Sequence, residues 1–450
     1  MTWKQDARER LLRILAGATF LIFFQAYMVA PLIPRLAAMF SVSEERIGLI
    51  VPAYMIPYGI ATLFYGVLAD RIGRRRVLLA SLTAFIVLTA LTATAQTETQ
   101  LVMWRLATGI GASGVVPLAL SLIGQLFPYE QRGRPLGWLF GAMAGGMAFG
   151  STVGVLAEPL LGRRALFGGV ALLGGVALIL LLPHGALLGG AGTGLELKTV
   201  MAGYRSLLGT GRGSRTYGYV LLNGIFHSGI YTWLGAYFAR QYHLGEIGIG
   251  LALLGYGVPG FVLGPIIGRL ADRWGRRWLI PAGLGVAAVA ALVLAVPAPL
   301  IAAAVAVTVL SLGYDMTQPL LAGIVTQLAP ERPGQAMGLN VFCLFTGFGL
   351  GSLVFGVALR AGFAAAFVFF FSFQAALALL ALFLFSAERN VAHPNQGSRA
   401  GLPRRKRFDS RRRDNAPRAR NRGGQSELGG LRAFHPGSLE FAHGLLWCSV

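Results

Sequence analysis

The sequence predicts an all-α membrane protein of twelve transmembrane helices, arranged as two related six-helix halves. Three observations predict it. Only 13% of the 450 residues are charged and 55% are hydrophobic, whereas a soluble chain carries about 25% charge. The apolar residues gather in runs that match the roughly 20 residues a helix needs to cross a hydrocarbon core. The chain also matches itself when it is shifted by 202 residues.

In chain order the runs fall near 12–36, 46–69, 77–96, 101–127, 136–157 and 165–183, and then near 217–239, 247–271, 278–297, 299–328, 336–360 and 364–386. The domains expected are a bundle over 1–183, a more polar central loop over 184–216, a second bundle over 217–389 and a basic tail over 390–450. The connection at 296–300 is short and apolar, which makes it the weakest boundary in the count. Gly is abundant at 62 residues, as suits membrane helices that pack through small residues. Two cysteines, Cys343 and Cys448, build neither a disulfide framework nor a metal site. The formal charge of +21 raises the possibility of nucleic acid. The arginines, however, sit in short clusters between apolar runs instead of forming one basic face, so no nucleic-acid partner is expected.

Lys and Arg in short loops set the orientation. One side carries Lys4, Arg8, Arg10, Arg13, Arg71, Arg74 to Arg76, Arg132, Arg134, Lys198, Arg205, Arg212, Arg215, Arg273, Arg276, Arg277 and Arg332. The other has Arg35, Arg46, Arg163, Arg164, Arg240 and Arg360, with Glu158 near enough to offset the Arg163–Arg164 pair. Both termini and the central loop are therefore expected in the cytoplasm. The tail is dense in arginine from Arg404 to Arg422. It reads as a disordered segment, either a tail with no essential role or one able to touch anionic lipid heads.

The internal repeat holds one register from residue 44 to residue 128. Glu44, Ile47 and Gly48 fall on Glu246, Ile249 and Gly250; Tyr54 and Pro57 on Tyr256 and Pro259; Pro117, Gln125 and Pro128 on Pro319, Gln327 and Pro330. Chance matches among Leu and Ala are cheap, but Asp, Pro, Gln and Tyr in one register are not. The loop Gly66-Val-Leu-Ala-Asp70-Arg71-Ile-Gly73-Arg74-Arg75-Arg76 recurs as Gly268-Arg-Leu-Ala-Asp272-Arg273-Trp-Gly275-Arg276-Arg277. Gly66 is expected to allow a close helix approach and Gly73 a tight reversal. Asp70 is expected to meet a helix N-terminus and a nearby arginine.

This doubled loop resembles the signature of the major facilitator superfamily (MFS), and the resemblance extends over nearly all of residues 10–390. It implies the MFS fold of twelve helices in two pseudo-twofold-related bundles. It also implies a secondary transporter of the drug and metabolite efflux type in the cell membrane, working as a monomer on a small organic solute and protons, with no cofactor and no enzymatic activity. By the same resemblance Gly66, Asp70, Arg71, Gly73 and Arg74 latch one half, and Gly268, Asp272, Arg273, Gly275 and Arg276 the other. Arg105, in Leu101-Val-Met-Trp-Arg105-Leu-Ala-Thr108-Gly109-Ile-Gly111, resembles the fourth-helix arginine implicated in proton coupling; snorkelling to the nearby helix end is the other reading. Gly141, Gly150 and Gly154 match the spacing of the family's antiporter motif. That motif continues with Pro where Val155 stands, which weakens an export assignment, and plain packing glycine is the alternative.

A charge near the bilayer centre costs on the order of 3 kcal/mol and usually has a task. Asp315, in Gly313-Tyr314-Asp315-Met316-Thr317-Gln318-Pro319, is the acid deepest within a run. It reads either as a cavity carboxylate that takes up and releases a proton or as a fixed structural bond. Gln25 and His227 share the repeat register. With Tyr27, Asn223, Tyr231 and Tyr314 they are candidates for binding solute, or else for bonding between helices. Lys4, Lys198 and Lys406 lie outside any phosphate-cradling glycine loop, which argues against ATP-driven pumping. Uptake of a sugar or other metabolite stands as the alternative to export.

Overall fold

The computed structural model describes residues 2–127, 133–189, 197–329 and 332–388. The predicted tail, 390–450, lies outside them. Among the described residues every regular element is helical.

Among the described residues nine helical segments are long and apolar enough to cross a membrane. One of them, Gly141–Leu188, contains two crossings, because the chain reverses at Gly162, whose φ of 74° interrupts the helix. The long helix Gly211–Tyr242 and the interrupted pair Glu246–Ala252 and Val258–Trp274 supply the seventh and eighth crossings, which brings the number to twelve. The short connection before Leu300 does separate two helices, Arg276–Ala295 and Leu300–Leu328.

Two details depart from the expected spans. The first crossing is a helix only to Tyr27 and continues through a tight turn, Ala30–Leu32, into Ile33–Phe40. The stretch expected as a loop over 184–216 holds the helix Leu197–Gly209, and the seventh crossing already begins at Gly211. Glu158 acts on Arg163 through its charge, as the offset expected, without forming an ion pair with it. Arg163 donates to the Ala95 carbonyl at 2.6 Å and lies over the Phe40 ring, while Glu158 pairs with Arg35 at 3.3 Å.

The reversals of the doubled motif are made by Gly73 (φ 96°) and Gly275 (φ 82°), equivalent positions in the left-handed region that glycine enters without strain. Within each half the same pairing recurs. The fifth crossing lies along the first, and the eleventh lies along the seventh. Between the halves the second crossing meets the eleventh, and the fifth meets the eighth. These two contacts exchange under a pseudo-twofold rotation. The first and seventh meet on the axis, where the backbone of Gly235 rests on Pro31.

Ion pairs between the halves repeat the exchange. Glu44 at the start of the second crossing pairs with Arg240 at the end of the seventh (2.9 Å), and Glu246 at the start of the eighth approaches Arg35 at 3.7 Å. The arginines are about half exposed, so each pair contributes modestly, on the order of 1 kcal/mol or less. Charge reversal at Glu44→Arg should lower the melting temperature in detergent, and adding Arg240→Glu should restore it; a double variant no better than the single would deny the pairing.

At the other end Glu388 closes the second half. It accepts from Arg212 at 2.8 and 2.7 Å and from Arg215 at 2.5 Å, and its carbonyl accepts from the Arg277 N–H at 3.3 Å. Burial works to raise the Glu388 carboxyl, but the hydrogen bonds and charges of Arg212 and Arg215 outweigh it and hold the group below the ordinary glutamate range. A carboxyl depressed on folding stabilises the fold fully above its unfolded value, about 4.3, and stops doing so as pH falls through the lower folded value. Glu388→Gln should therefore melt earlier than the parent at pH 7, and the gap should close as pH drops below the usual glutamate range. A gap independent of pH would assign the loss to packing.

Candidate functional site: broken helices and an aromatic wall

Helices that break inside an apolar slab expose N–H and C=O groups that lipid cannot satisfy, so the protein must satisfy them itself. Breaks occur at related depths in both halves. In the first half the opening helix ends at Tyr27, and the second crossing passes through a tight turn, Gly48–Ile50, before its main helix starts at Pro52. Arg105, fully buried, closes both gaps. Its Nε donates to the Ile50 carbonyl (3.2 Å), Nη1 to the carbonyl (3.1 Å) and Oε1 (2.9 Å) of Gln25, and Nη2 to the Ala26 carbonyl (3.2 Å). The guanidinium lies 4.3 Å from the Tyr54 ring centroid. Carbonyls at helix C-terminal ends carry partial negative charge, so dipoles and a ring face hold this cation.

In the second half the charge is of opposite sign. The eighth crossing is helical over Glu246–Ala252, unwinds over 253–257 and resumes over Val258–Trp274. Asp315 of the tenth crossing meets the resuming helix at its positive end. The carboxylate accepts the Gly260 N–H, and the Ser311 hydroxyl donates to Oδ2 at 3.3 Å. The Gly257 N–H, freed by the break, donates to Ser311 Oγ at 2.9 Å.

Between the two breaks stands a wall of rings. His227 Nε2 hydrogen-bonds the Tyr256 hydroxyl, and the His227 ring stacks on Tyr314 with centroids 3.9 Å apart. Tyr231 stacks on Tyr256 at 4.4 Å, lies 5.4 Å from Tyr27 and donates to the Tyr27 carbonyl at 3.2 Å. Phe348 and Phe345 continue the wall toward Tyr58, which stacks on Phe345 at 4.3 Å. Several buried polar atoms facing no protein partner accompany it: Nε2 of Gln25, the hydroxyls of Tyr27, Tyr54 and Tyr58, Nδ1 of His227 and both amide atoms of Gln318. Such groups cost free energy until water or a ligand meets them.

Of the residues expected at the site, the structure brings Tyr27, His227, Tyr231 and Tyr314 together in the wall, with Gln25 held by Arg105. Asn223 instead sits in a buried chain, donating to Thr317 Oγ1 (2.9 Å) and accepting from Gln374 (3.1 Å). In the loop motif the side chains of Asp70, Asp272 and Arg273, together with Gly268, lie outside the described residues. Arg71 is exposed, and Arg276 lies close to Gly323. Gly66 is exposed, and a Cβ there would meet nothing within 4 Å. The close approach expected at Gly66 is thus absent, because its helix face has no neighbour at that point. The motif glycines of the fifth crossing differ among themselves. Gly141 is equally open, whereas a Cβ at Gly150 would fall 2.5 Å from the Phe24 carbonyl and one at Gly154 2.7 Å from Met28. Gly146, beside the motif, rests on Phe20 in the same way.

Sequence reasoning missed Ser311, Thr317 and Gln374 as partners, and Gln318 as a buried amide. Ser311 stands one helical turn before Asp315, a spacing that was available as a signal. Tyr54 and Tyr256 served only to mark the repeat, although their shared register places both beside the breaks.

Comparison with known proteins fits this architecture. The family model of the Major Facilitator Superfamily matches residues 15–245 and 216–434. The chain belongs to the Major Facilitator Superfamily. It is 26% identical over 348 residues to the uncharacterized MFS-type transporter YceJ of Bacillus subtilis, a match covering 75% of this chain and 86% of that one. It is 23% identical over 346 residues to the quinolone resistance protein NorA of Staphylococcus aureus, covering 75% and 87%. The crystal structure of a bacterial homolog to the human lysosomal transporter Spinster, inward-facing and unoccupied, superposes with a TM-score of 0.67 at 17% identity, covering 85% of this chain and 98% of that one. That superposition speaks to the fold alone. As an MFS transporter the chain is a multi-pass membrane protein that handles small-molecule substrates.

The fifth-crossing contacts make a direct test. Gly150→Leu should destabilise this MFS transporter by about 1–3 kcal/mol, since the added atoms meet backbone that has no room to yield. Gly141→Leu should be nearly neutral. Thermal melts of the purified variants compare the two, and equal effects would show that close packing is not what Gly150 provides.

Proposed function

We propose that the protein exports a small organic solute in exchange for protons by alternating access. Both termini face the cytoplasm, and the doubled loops latch that side through Asp70 with Arg74 and Asp272 with Arg276. The observation that carries the reading is Asp315. It is a partly exposed carboxylate at a helix break, next to Tyr256 and Tyr314 of the ring wall, and its described partners are a hydroxyl and a backbone N–H in place of a cation. A carboxylate held this way can take up a proton without breaking an ion pair. Arg105 contributes through fixed charge, since a guanidinium keeps its proton throughout the working range. Solute binds against Tyr27, Tyr231, Tyr314 and His227, where Gln25 Nε2 and His227 Nδ1 offer unmet hydrogen bonds. Asn223 shapes this surface from behind through Thr317.

The energetics are adequate. One charge moving through 100 mV releases about 2.3 kcal/mol, enough for more than a tenfold solute gradient. A relative named for quinolone resistance supports the outward direction. The test is solute flux in proteoliposomes with an imposed pH gradient, using a panel of organic solutes. Asp315→Asn should lose gradient-driven transport by at least about tenfold while retaining solute exchange at equal pH. Full gradient-driven transport in that variant would remove the proton role, and flux that follows the proton inward would replace export with uptake.

A further inference from the structure

Ser311 is buried, 2% exposed, and bridges Asp315 to the unwound stretch of the eighth crossing by hydrogen bonds. Its hydroxyl has one proton to give and gives it to Asp315 Oδ2; its lone pairs take the Gly257 N–H. Gly257, at φ 79°, sits at the end of the unwound stretch, and an added Cβ there would lie 2.6 Å from Ala148 of the fifth crossing, in the other half. Tyr256, one residue earlier, bonds His227 and stacks on Tyr231, whose hydroxyl reaches the Tyr27 carbonyl across the axis. The contact with Ala148 therefore lies two hydrogen bonds from the carboxylate, and the path through Tyr256 reaches Tyr27 by way of the stack on Tyr231.

We propose that Ser311 is a positioning residue for transport, transmitting the protonation state of Asp315 to residues 253–257 and so to the interface between the halves. This rests on the proton-exchange reading above. The ionised carboxylate accepts from both Ser311 and Gly260, and it faces the positive end of the resuming helix. A protonated acid has an O–H of its own to donate. Ser311 can receive it only by turning its hydroxyl away from Asp315, which swings round the lone pairs that hold the Gly257 N–H. Protonation thus disturbs the Gly257 tie and removes the charge that faces the helix start. The ionisable side chains facing Asp315 are Tyr256 of the eighth crossing and Tyr314 of its own helix, with His227 of the seventh stacked behind Tyr314. Free tyrosine ionises only near pH 10, so His227 is the group against which the assignment to Asp315 is tested.

The experiment uses full-length protein with Cys343→Ser and Cys448→Ser, spin-labelled at Leu254→Cys inside the unwound stretch and reconstituted in vesicles. Label mobility is followed against pH. The parent should show one transition, which Asp315→Asn removes. Ser311→Ala should move its midpoint by about one pH unit, the effect of one hydrogen bond on one protonation state, or flatten it. Ser311→Thr, which keeps the hydroxyl, should restore it. An unchanged midpoint and amplitude in Ser311→Ala, or failure of Ser311→Thr to restore a lost response, would overturn the relay, as would a transition abolished by His227→Asn and kept in Asp315→Asn. Gradient-driven flux in Asp315→Asn, measured alongside, separates failure of the relay from failure of proton exchange.

Discussion

The constraint on which this structure depends is that backbone freed inside lipid must find its partners within the protein. Among the described residues the first, second, fourth and eighth crossings are interrupted. At three of these breaks a charged side chain from a neighbouring helix supplies what is missing, and at the fourth crossing the Ser81 hydroxyl accepts the Gly114 N–H. Arg105 gathers carbonyls from two helix ends, and Asp315 meets the N–H end of a third. The sign of each charge follows from which end of the helix is open. These charges also fix where irregular backbone can exist, and the ring wall fills the space between those places.

The two halves share a scaffold but not its chemistry. Position for position, Gln25 corresponds to His227 and Tyr54 to Tyr256. In the first half the pair serves a cation: Gln25 accepts from Arg105, and Tyr54 lies beneath it. In the second half the pair bonds directly to each other, and the nearby charge is an acid one helix away. Arg105 corresponds in register to Val307, and Asp315 to Ser113. The break of the second crossing has a counterpart in the eighth, whereas the seventh and tenth run unbroken where the first and fourth are interrupted, and opposite charges stand beside the breaks of the two halves. The first half is thereby tied into a rigid hub of four hydrogen bonds, while the second keeps a carboxylate with only two neutral donors.

Much of the fold was legible in the sequence, because the signals involved are local or repeated. Apolar length marked the crossings, and Gly73 and Gly275 announced their reversals through a shared motif. The break after Tyr27 was not legible, since the apolar run continues through Pro31 and Leu32 without a polar residue to mark it. In the eighth crossing Gly255 and Gly257 look like packing glycines. Only the structure shows that Gly257 has a positive φ and that its N–H goes to another helix. Of the site, the register drew attention to Gln25 and His227, and depth drew attention to Asp315. Thr317 and Gln374 carried no such mark: their bonds to Asn223 span 94 and 151 residues, and periodicity says nothing about which faces of distant helices meet. Gly66 shows the converse error, where a motif suggested contact and the helix face is open.

The clasp at Glu388 sets a practical limit on how the chain can be shortened. The transporter body closes as one compact unit by Val391, and the basic segment begins just beyond it. A truncation meant to discard that segment has to keep the glutamate. A stop codon three or four positions too early would strip two arginines at the mouth of the seventh crossing of their common acid, leaving like charges side by side where one carboxylate now holds both. Trimming a few residues past Glu388 removes a densely basic stretch, Arg404 to Arg422 among it, and leaves that closure intact.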